Sequence, residues 1–346
     1  MPLPPQTSEP LEYVTDVLDD MARHAPERRI IDDPEAAATI IDAEIRSRLT
    51  AVFDRFGGTP AILLSGGVDS IYAAAVAVDL GHRPHALTVV TDGGTDRDNA
   101  AAAAGALGIP HEVIHLTPGE VARLAEDVME RIGIAELWEV TAGIPLLAAR
   151  SSLEKIPGLG AVLSGNGADA ILAGGKRLAH PLDSAEACAQ LDALIRAESV
   201  ANFRYHRLVP HFYPALLGGT AAQLVQVFQT VRWWQIAEQF APPALFGDHD
   251  GRAVDKFALR LACERRLPRS VGHLAWAAKS PIQRSSGLVG ALARAARHWA
   301  AGQHGARTYT DPVSDDPETL AARLYLAILD RHGGRAIEPG PAIGTR

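Results

Sequence analysis

Four apolar residues, Ala61-Ile62-Leu63-Leu64, run straight into Ser65-Gly66-Gly67-Val68-Asp69-Ser70, and an Ala-rich segment from Ile71 to Leu80 follows. The order is strand, glycine turn, helix. Such a turn leaves backbone N–H groups without internal partners at the helix N-terminus, where the helix dipole also favours an anion. Gly66 and Gly67 let the backbone approach a ligand closely, and Ser65 and Ser70 add hydroxyl donors. The stretch reads as a phosphate site. Asp69 would repel a bare phosphate, so the pattern also asks for a magnesium ion between carboxylate and phosphate. The competing reading is an ordinary corner with capping serines, but capping does not need two glycines and an aspartate together.

The alternation continues along the chain. Short apolar runs at Ala61–Leu64, His85–Thr91, Glu112–Leu116 and Gly160–Leu163 predict strands. Between them, Ser70–Leu80, Arg97–Leu107, Pro118–Arg131 and Ile144–Leu153 predict helices. Nearly continuous apolar strands separated by helices indicate an α/β fold with a doubly wound parallel sheet covered on both faces. Ligands of such sheets bind beyond the C-terminal strand ends, where the Gly-rich loops of this chain fall. Ahead of the core, Leu11–Arg23 and Pro34–Phe56 show helical spacing, with Asp33 placed to cap the second. Beyond about Gly174 the strand signal disappears. Ser184–Ala197, Thr220–Phe240, Ala253–Arg266, Leu288–Ala301 and Pro317–Arg331 read as helices, and Gly247–Gly251 as a loop. The expected organisation is a helical extension over 1–58, an α/β core over 59–180 and a helical part over 181–346 that completes the site.

Charge and composition exclude several classes. The net charge of −8 argues against a nucleic-acid partner. No apolar run is long enough to span a membrane, and Met-Pro-Leu-Pro-Pro at the start lacks the features of a signal peptide. Cys188 and Cys263 are too few for a disulfide framework and lack metal spacing. A cytoplasmic protein is expected, and nothing in the sequence sets its oligomeric state.

The phosphate loop is of neither common kind. No Lys-Ser/Thr pair follows its second glycine, and no G-x-G-x-x-G is present. It resembles instead the PP-loop of the N-type ATP pyrophosphatases, which cleave ATP between the α- and β-phosphates. Two further stretches narrow the resemblance. Residues 164–175, Ser-Gly-Asn-Gly-Ala-Asp-Ala-Ile-Leu-Ala-Gly-Gly, are similar to the asparagine synthetase signature Ser-Gly-Glu-Gly-Ser-Asp-Glu with an apolar pair and Gly-Gly. Lys279-Ser280-Pro281-Ile282-Gln283-Arg284-Ser285-Ser286-Gly287 resembles that family's Lys-containing loop. Between them, Gly251 to Arg260 with Leu267-Pro268 resembles its Gly-x-x-x-Lys-x-x-Leu-Arg…Leu-Pro stretch. Over about residues 36–332 the chain resembles the synthetase domain of asparagine synthetase and β-lactam synthetase.

The resemblance implies ATP and magnesium as cofactors and an AMP-forming ligation. A small-molecule carboxylate would be adenylated, and a nitrogen nucleophile would displace AMP. It implies that Ser65, Gly66, Gly67 and Ser70 hold pyrophosphate and that Asp69 and Asp169 share magnesium. Leu63, Val89, Ser164 and Gly165 would surround the adenosine. Lys279 would carry positive charge to the phosphates and the tetrahedral intermediate, with Lys256 a second phosphate candidate. Competing readings remain: a helix cap for Asp169, and solvated positions for Lys279 and Lys256. Cys263, the Trp233-Trp234 pair, and His111 with His115 read as structural. His206 and His211 lack a third ligand.

Three departures from the family pattern stand out. The glutamine-hydrolysing domain is not expected here, because the PP-loop starts at residue 65 and position 2 is Pro. The nitrogen would then come from free ammonia, from a separate amidotransferase, or from the substrate itself. Asn166 stands where the family has a Glu that helps deprotonate the amine, and an amide cannot accept that proton. Ala170 replaces a second Glu. The same ligation could also close a ring within one substrate, as in a specialised biosynthetic pathway; sulfur transfer, nitrile formation, and a non-catalytic ATP- or substrate-binding role are the alternative outcomes.

Overall fold

A computed structural model describes residues 23–278, 285–305 and 310–331. Lys279 and most of the expected Leu11–Arg23 helix lie outside the described residues.

Helix α1 (Pro34–Phe56) starts as the sequence predicts, with Pro34 in its first turn and the Asp33 carboxylate accepting from the Glu35 N–H at 3.0 Å. The α/β core then alternates β1 (Thr59–Leu63), α2 (Val68–Asp79), β2 (His85–Thr91), α3 (Asp96–Leu107), β3 (His111–Leu116), α4 (Pro118–Ile132), α5 (Leu137–Leu153) and β4 (Leu159–Ser164). Helix α5 begins before the expected Ile144. Glu136 caps it by accepting from the Trp138 and Glu139 N–H groups, and the helix runs through Pro145. The five-stranded sheet is parallel, in the order β3-β2-β1-β4-β5.

Its strands are apolar on both faces for a visible reason. Ile62, Ala86, Leu163 and Val225 enter one core with α1 and α2. Ala61, Leu87, Val162 and Leu224 enter a second core with α4 and α5. Successive side chains of a strand point to opposite faces, so one sheet serves two cores.

The strand signal does not end at Gly174. β5 (Leu224–Gln226) pairs in parallel with β4 through Leu163–Val225 and Ser164–Gln226. It interrupts the helix expected over Thr220–Phe240, of which α7 (Val231–Ala237), after α6 (Ala185–Asn202), remains α-helical, while Thr220–Gln223 belong to a 3₁₀ segment (Gly218–Gln223). Three residues are too few to display a period of two, and the gain from pairing with β4 is invisible locally. The Gly247–Gly251 loop is also corrected. β6 (Phe246–His249) and β7 (Arg252–Asp255) form an antiparallel hairpin, with both turn residues, Asp250 and Gly251, at positive φ. Asp-Gly at that position is a strong hairpin signal. Because β7 ends at Asp255, helix α8 (Phe257–Arg266) starts after Lys256, later than expected. Helices α9 (Leu288–Ala301) and α10 (Pro317–Arg331) match their expected bounds.

Candidate active site

The sheet order reverses between β1 and β4, whose crossovers leave in opposite directions. A crevice forms beyond the strand ends at such a point. The Ser65–Ser70 loop follows β1 and the Ser164–Gly175 loop follows β4, so both glycine loops meet there.

The first loop is braced by its own serines. The Ser65 N–H donates to Ser70 Oγ at 3.1 Å, and Ser70 Oγ donates to the Gly67 carbonyl at 3.1 Å. Ser70 is buried, so its hydroxyl shapes the turn from within. Gly67 enters α2 in an extended conformation, and no side-chain cap closes that N-terminus. Gly66 has φ 68°, and a Cβ there would stand 2.4 Å from the Asp96 carbonyl oxygen.

The two loops touch. A Cβ on Gly165 would lie 2.9 Å from the Ser70 nitrogen and 3.1 Å from Asp69 Cβ. Only glycine permits that approach. Leu63 pairs with Ser164 on one side and with Leu87 on the other, and Val89 lies farther along β2. Leu63, Val89, Ser164 and Gly165 thus share the strand-end region of three neighbouring strands. Asn166 is exposed, its N–H donating to Ser164 Oγ at 3.3 Å.

Asp69 and Asp169 converge, and the Lys256 ammonium sits between them. Lys256 Nζ donates to Asp69 Oδ1 and Oδ2 at 2.8 and 2.9 Å and to Asp169 Oδ1 at 2.7 Å. The lysine is 2% exposed, whereas the Asp169 side chain is 58% exposed. Burial by itself would lower the Lys256 pKa. The Asp69 and Asp169 charges and hydrogen bonds reverse that and hold it above the ordinary lysine value. A solvated lysine is therefore ruled out, and so is a purely capping role for Asp169.

The local backbone explains the placement. Lys256 ends the β6–β7 hairpin in a left-handed conformation, φ 49° and ψ 36°. That conformation costs a side-chain-bearing residue about 1–2 kcal/mol and persists where the surroundings over-determine it. Arg260 Nη2 and Nε donate to Asp255 Oδ1 at 2.9 Å and to its carbonyl at 2.7 Å. Asp255 also accepts from the Gly175 N–H. Gly174 lets the Asp169 carboxylate fold back, since a Cβ there would meet Asp169 Oδ1 at 1.9 Å.

Both described flanks of the 279–284 stretch are tied down. Arg260 Nη1 donates to the Ala275 and Ala277 carbonyls at 2.8 and 3.2 Å. On the other side, the Thr91 and Thr95 N–H groups donate to the Ser286 and Ser285 carbonyls at 2.8 and 2.7 Å. Ser285 Oγ donates to the buried Asp96 at 2.9 Å. Sequence reasoning missed Asp96 and Asp255, and it marked Arg260 only as the Arg that ends the Gly251–Arg260 stretch, without a role.

Trp233, Trp234 and Cys263 are core. Burial, then the Asp69 charge, holds the Cys263 thiol well above its ordinary pKa. His111 Nε2 meets Thr88 Oγ1 at 2.8 Å, and His115 Nε2 meets Asp92 at 3.0 Å. Among the described residues, no group of three or more His, Cys, Asp and Glu side chains is placed to hold a metal by itself. No single described helix is long and apolar enough to cross a membrane.

Comparison with known proteins now bears on this geometry. The family model described as asparagine synthase matches residues 55–239. The chain belongs to the asparagine synthase family. The match spans both glycine loops and β5, and ATP is the nucleotide this family uses. As an asparagine synthase family member, the chain is a synthetase-type enzyme of the PP-loop class. Thirty-six chains of solved structure match; among them is an NMN synthetase from Francisella tularensis, similar to this chain at 19% identity and a TM-score of 0.31. That alignment covers 72% of this chain and 98% of the other. None of the curated proteins compared by sequence matches.

Proposed function

We propose that this chain is an ATP-dependent, AMP-forming ligase. It adenylates a substrate carboxylate with release of pyrophosphate, and then passes the acyl group to a nitrogen nucleophile or closes a ring. The observation that carries this reading is the convergence of Asp69 and Asp169, from two strand ends, beside an uncapped helix N-terminus. A pyrophosphate leaving group needs such a pairing of amide donors with carboxylates that hold its cation.

The donor set suits magnesium. Mg²⁺ takes one or two carboxylates and completes its shell with water and substrate phosphates. The carboxylates already share one cation, the Lys256 ammonium. Bound magnesium would neutralise phosphate charge as pyrophosphate departs.

The chain's own groups do the rest. The Ser65–Gly67 turn and the first amides of α2 bind the departing phosphates. Leu63, Val89, Ser164 and Gly165 pack the adenosine. Lys256 and Lys279 supply positive charge, Lys279 to the tetrahedral intermediate. Asn166 orients a substrate group and accepts no proton. Sulfur transfer would call for a cysteine pair at the loops, whereas Cys263 is buried with its thiol pushed above the ordinary pKa and Cys188 lies in helix α6.

The test is product analysis. Incubation with ATP, magnesium and a panel of carboxylates should give carboxylate-dependent exchange of labelled pyrophosphate into ATP, with AMP as the nucleotide product. ADP and orthophosphate as direct products would overturn the proposal.

A further inference from the structure

The same carboxylate oxygens that a divalent cation would use are engaged by a side chain of the protein. Lys256 Nζ lies within 2.7–2.9 Å of both oxygens of Asp69 and one of Asp169. Three features make this a built arrangement. The lysine is buried. Its backbone is held left-handed where a hairpin ends and a helix begins. Asp255, the residue before it, is fixed by Arg260 and by the Gly175 amide of the Asp169 loop.

We infer that Lys256 is a resident cation that competes with free divalent metal for Asp69 and Asp169, so that magnesium enters this site with the nucleotide and not ahead of it. The inference rests on the reading of the carboxylate pair given above and adds an order of loading. A bare Mg²⁺ ion must displace or crowd an ammonium that already neutralises part of the pair. A metal–nucleotide complex brings its own phosphate charge, which attracts the lysine away from the carboxylates. Lys256 then passes from carboxylate partner to phosphate partner, and the site never holds two uncompensated carboxylates.

The competition is measurable without turnover. Mn²⁺ binding is followed by electron paramagnetic resonance in the absence of nucleotide, on the full chain. Wild type should bind Mn²⁺ weakly at this pair. Lys256→Met keeps the stem and removes the charge, and should bind Mn²⁺ at least about tenfold more tightly, as expected when a unit charge a few ångströms away is deleted. The double variant Lys256→Met with Asp69→Asn should lose that gain. If Lys256→Met unfolds on its own, the same titration is read by circular dichroism. Recovery of the folded signal at Mn²⁺ concentrations that leave wild type unchanged supports the inference.

Unchanged or weaker Mn²⁺ binding by a folded Lys256→Met would overturn it. So would absence of recovery at millimolar Mn²⁺, or tight nucleotide-free binding by wild type that Asp69→Asn abolishes. Pyrophosphate exchange by wild type is scored separately. A protein that exchanges pyrophosphate but shows no change on Lys256→Met retains the proposed function and loses the loading order.

Discussion

Gly165→Ala is the sharpest probe of whether the two glycine loops form one nucleotide site. Gly165 does not need a positive φ, so alanine meets no backbone penalty, and the whole effect is steric. The added Cβ would stand 2.9 Å from the Ser70 nitrogen and 3.1 Å from the Asp69 carbonyl carbon and Cβ. These atoms belong to the first turn of α2 and cannot swing away like the end of a long side chain. The first contact falls short of ordinary van der Waals separation by about half an ångström, so β4's loop or the start of α2 must move by that amount. Overpacking of this kind costs about 1–3 kcal/mol. In a chain of this size that lowers the melting temperature by roughly 1–4 °C. ATP affinity should fall at least about tenfold, because the displaced amides are those proposed to meet the phosphates. Calorimetric titration with ATP and magnesium, beside a thermal melt, reads both. Gly105→Ala in α3 is the control. Its Cβ meets nothing within 4 Å, so it should gain about 0.5–1 kcal/mol from helix propensity and leave ATP affinity alone. Wild-type ATP affinity and melting temperature in Gly165→Ala would refute the argument.

Other expectations are briefer. Asp69→Asn should abolish pyrophosphate exchange. It should also lower stability, by less than the roughly 3–5 kcal/mol of a fully orphaned buried charge, since Asp169 still faces Lys256; an unchanged unfolding midpoint would contradict the buried ion pair. Asn166→Glu is exposed and should leave stability within about 0.5 kcal/mol. With ammonia as nucleophile it should add an ascending limb to the pH–rate profile, and a profile identical to wild type would remove position 166 from proton transfer. Asp192 is buried and accepts from Arg196 Nε at 2.8 Å, the Ala25 N–H at 2.9 Å and Arg29 Nη2 at 3.1 Å. Burial raises its pKa, but these partners outweigh it and hold the carboxyl below the ordinary range. Its contribution is therefore present above the unfolded value of about 3.9 and lost as pH falls through the folded value. Asp192→Asn should cost about 3–5 kcal/mol at pH 7 and flatten the acid limb of stability in urea titrations. An acid limb as steep as in wild type would remove Asp192 as its source.

The parts of the fold that were legible in the sequence are those whose physics is local. Pro34 after Asp33 and the continuous apolar runs of β1, β2 and β4 each carry their own signal. β5 does not. Leu224–Gln226 becomes a strand because β4 offers it a ladder. Lys256 shows the same limit in the site. Its spacing from Gly251 was visible, but its burial depends on a hairpin that ends at Asp255 and on carboxylates 187 and 87 residues away. A helix drawn through Ala253 would have turned it toward solvent. Both glycine loops were legible because their chemistry and their strand-end position reinforce each other. Their contact through Gly165 was not, since closeness between two loops leaves no mark on either one alone.

The two departures from the family signature sit in different surroundings and need not have one cause. Ala170 is 3% exposed and packs with Ile171 and Leu172 in the core beside α2. A glutamate on that backbone would bury a carboxylate, so this position belongs to packing. Asn166 is exposed at the mouth between the strand ends, where a glutamate would meet no steric objection. Its replacement therefore bears on chemistry. Asp69, Asp169 and Lys256 together carry one formal net negative charge; a glutamate at position 166 would make it two. A less acidic mouth holds a protonated amine less well and offers no carboxylate at position 166 to deprotonate it. On the proposed reading, both effects point the same way, to a nucleophile that is already neutral and weakly basic when it arrives.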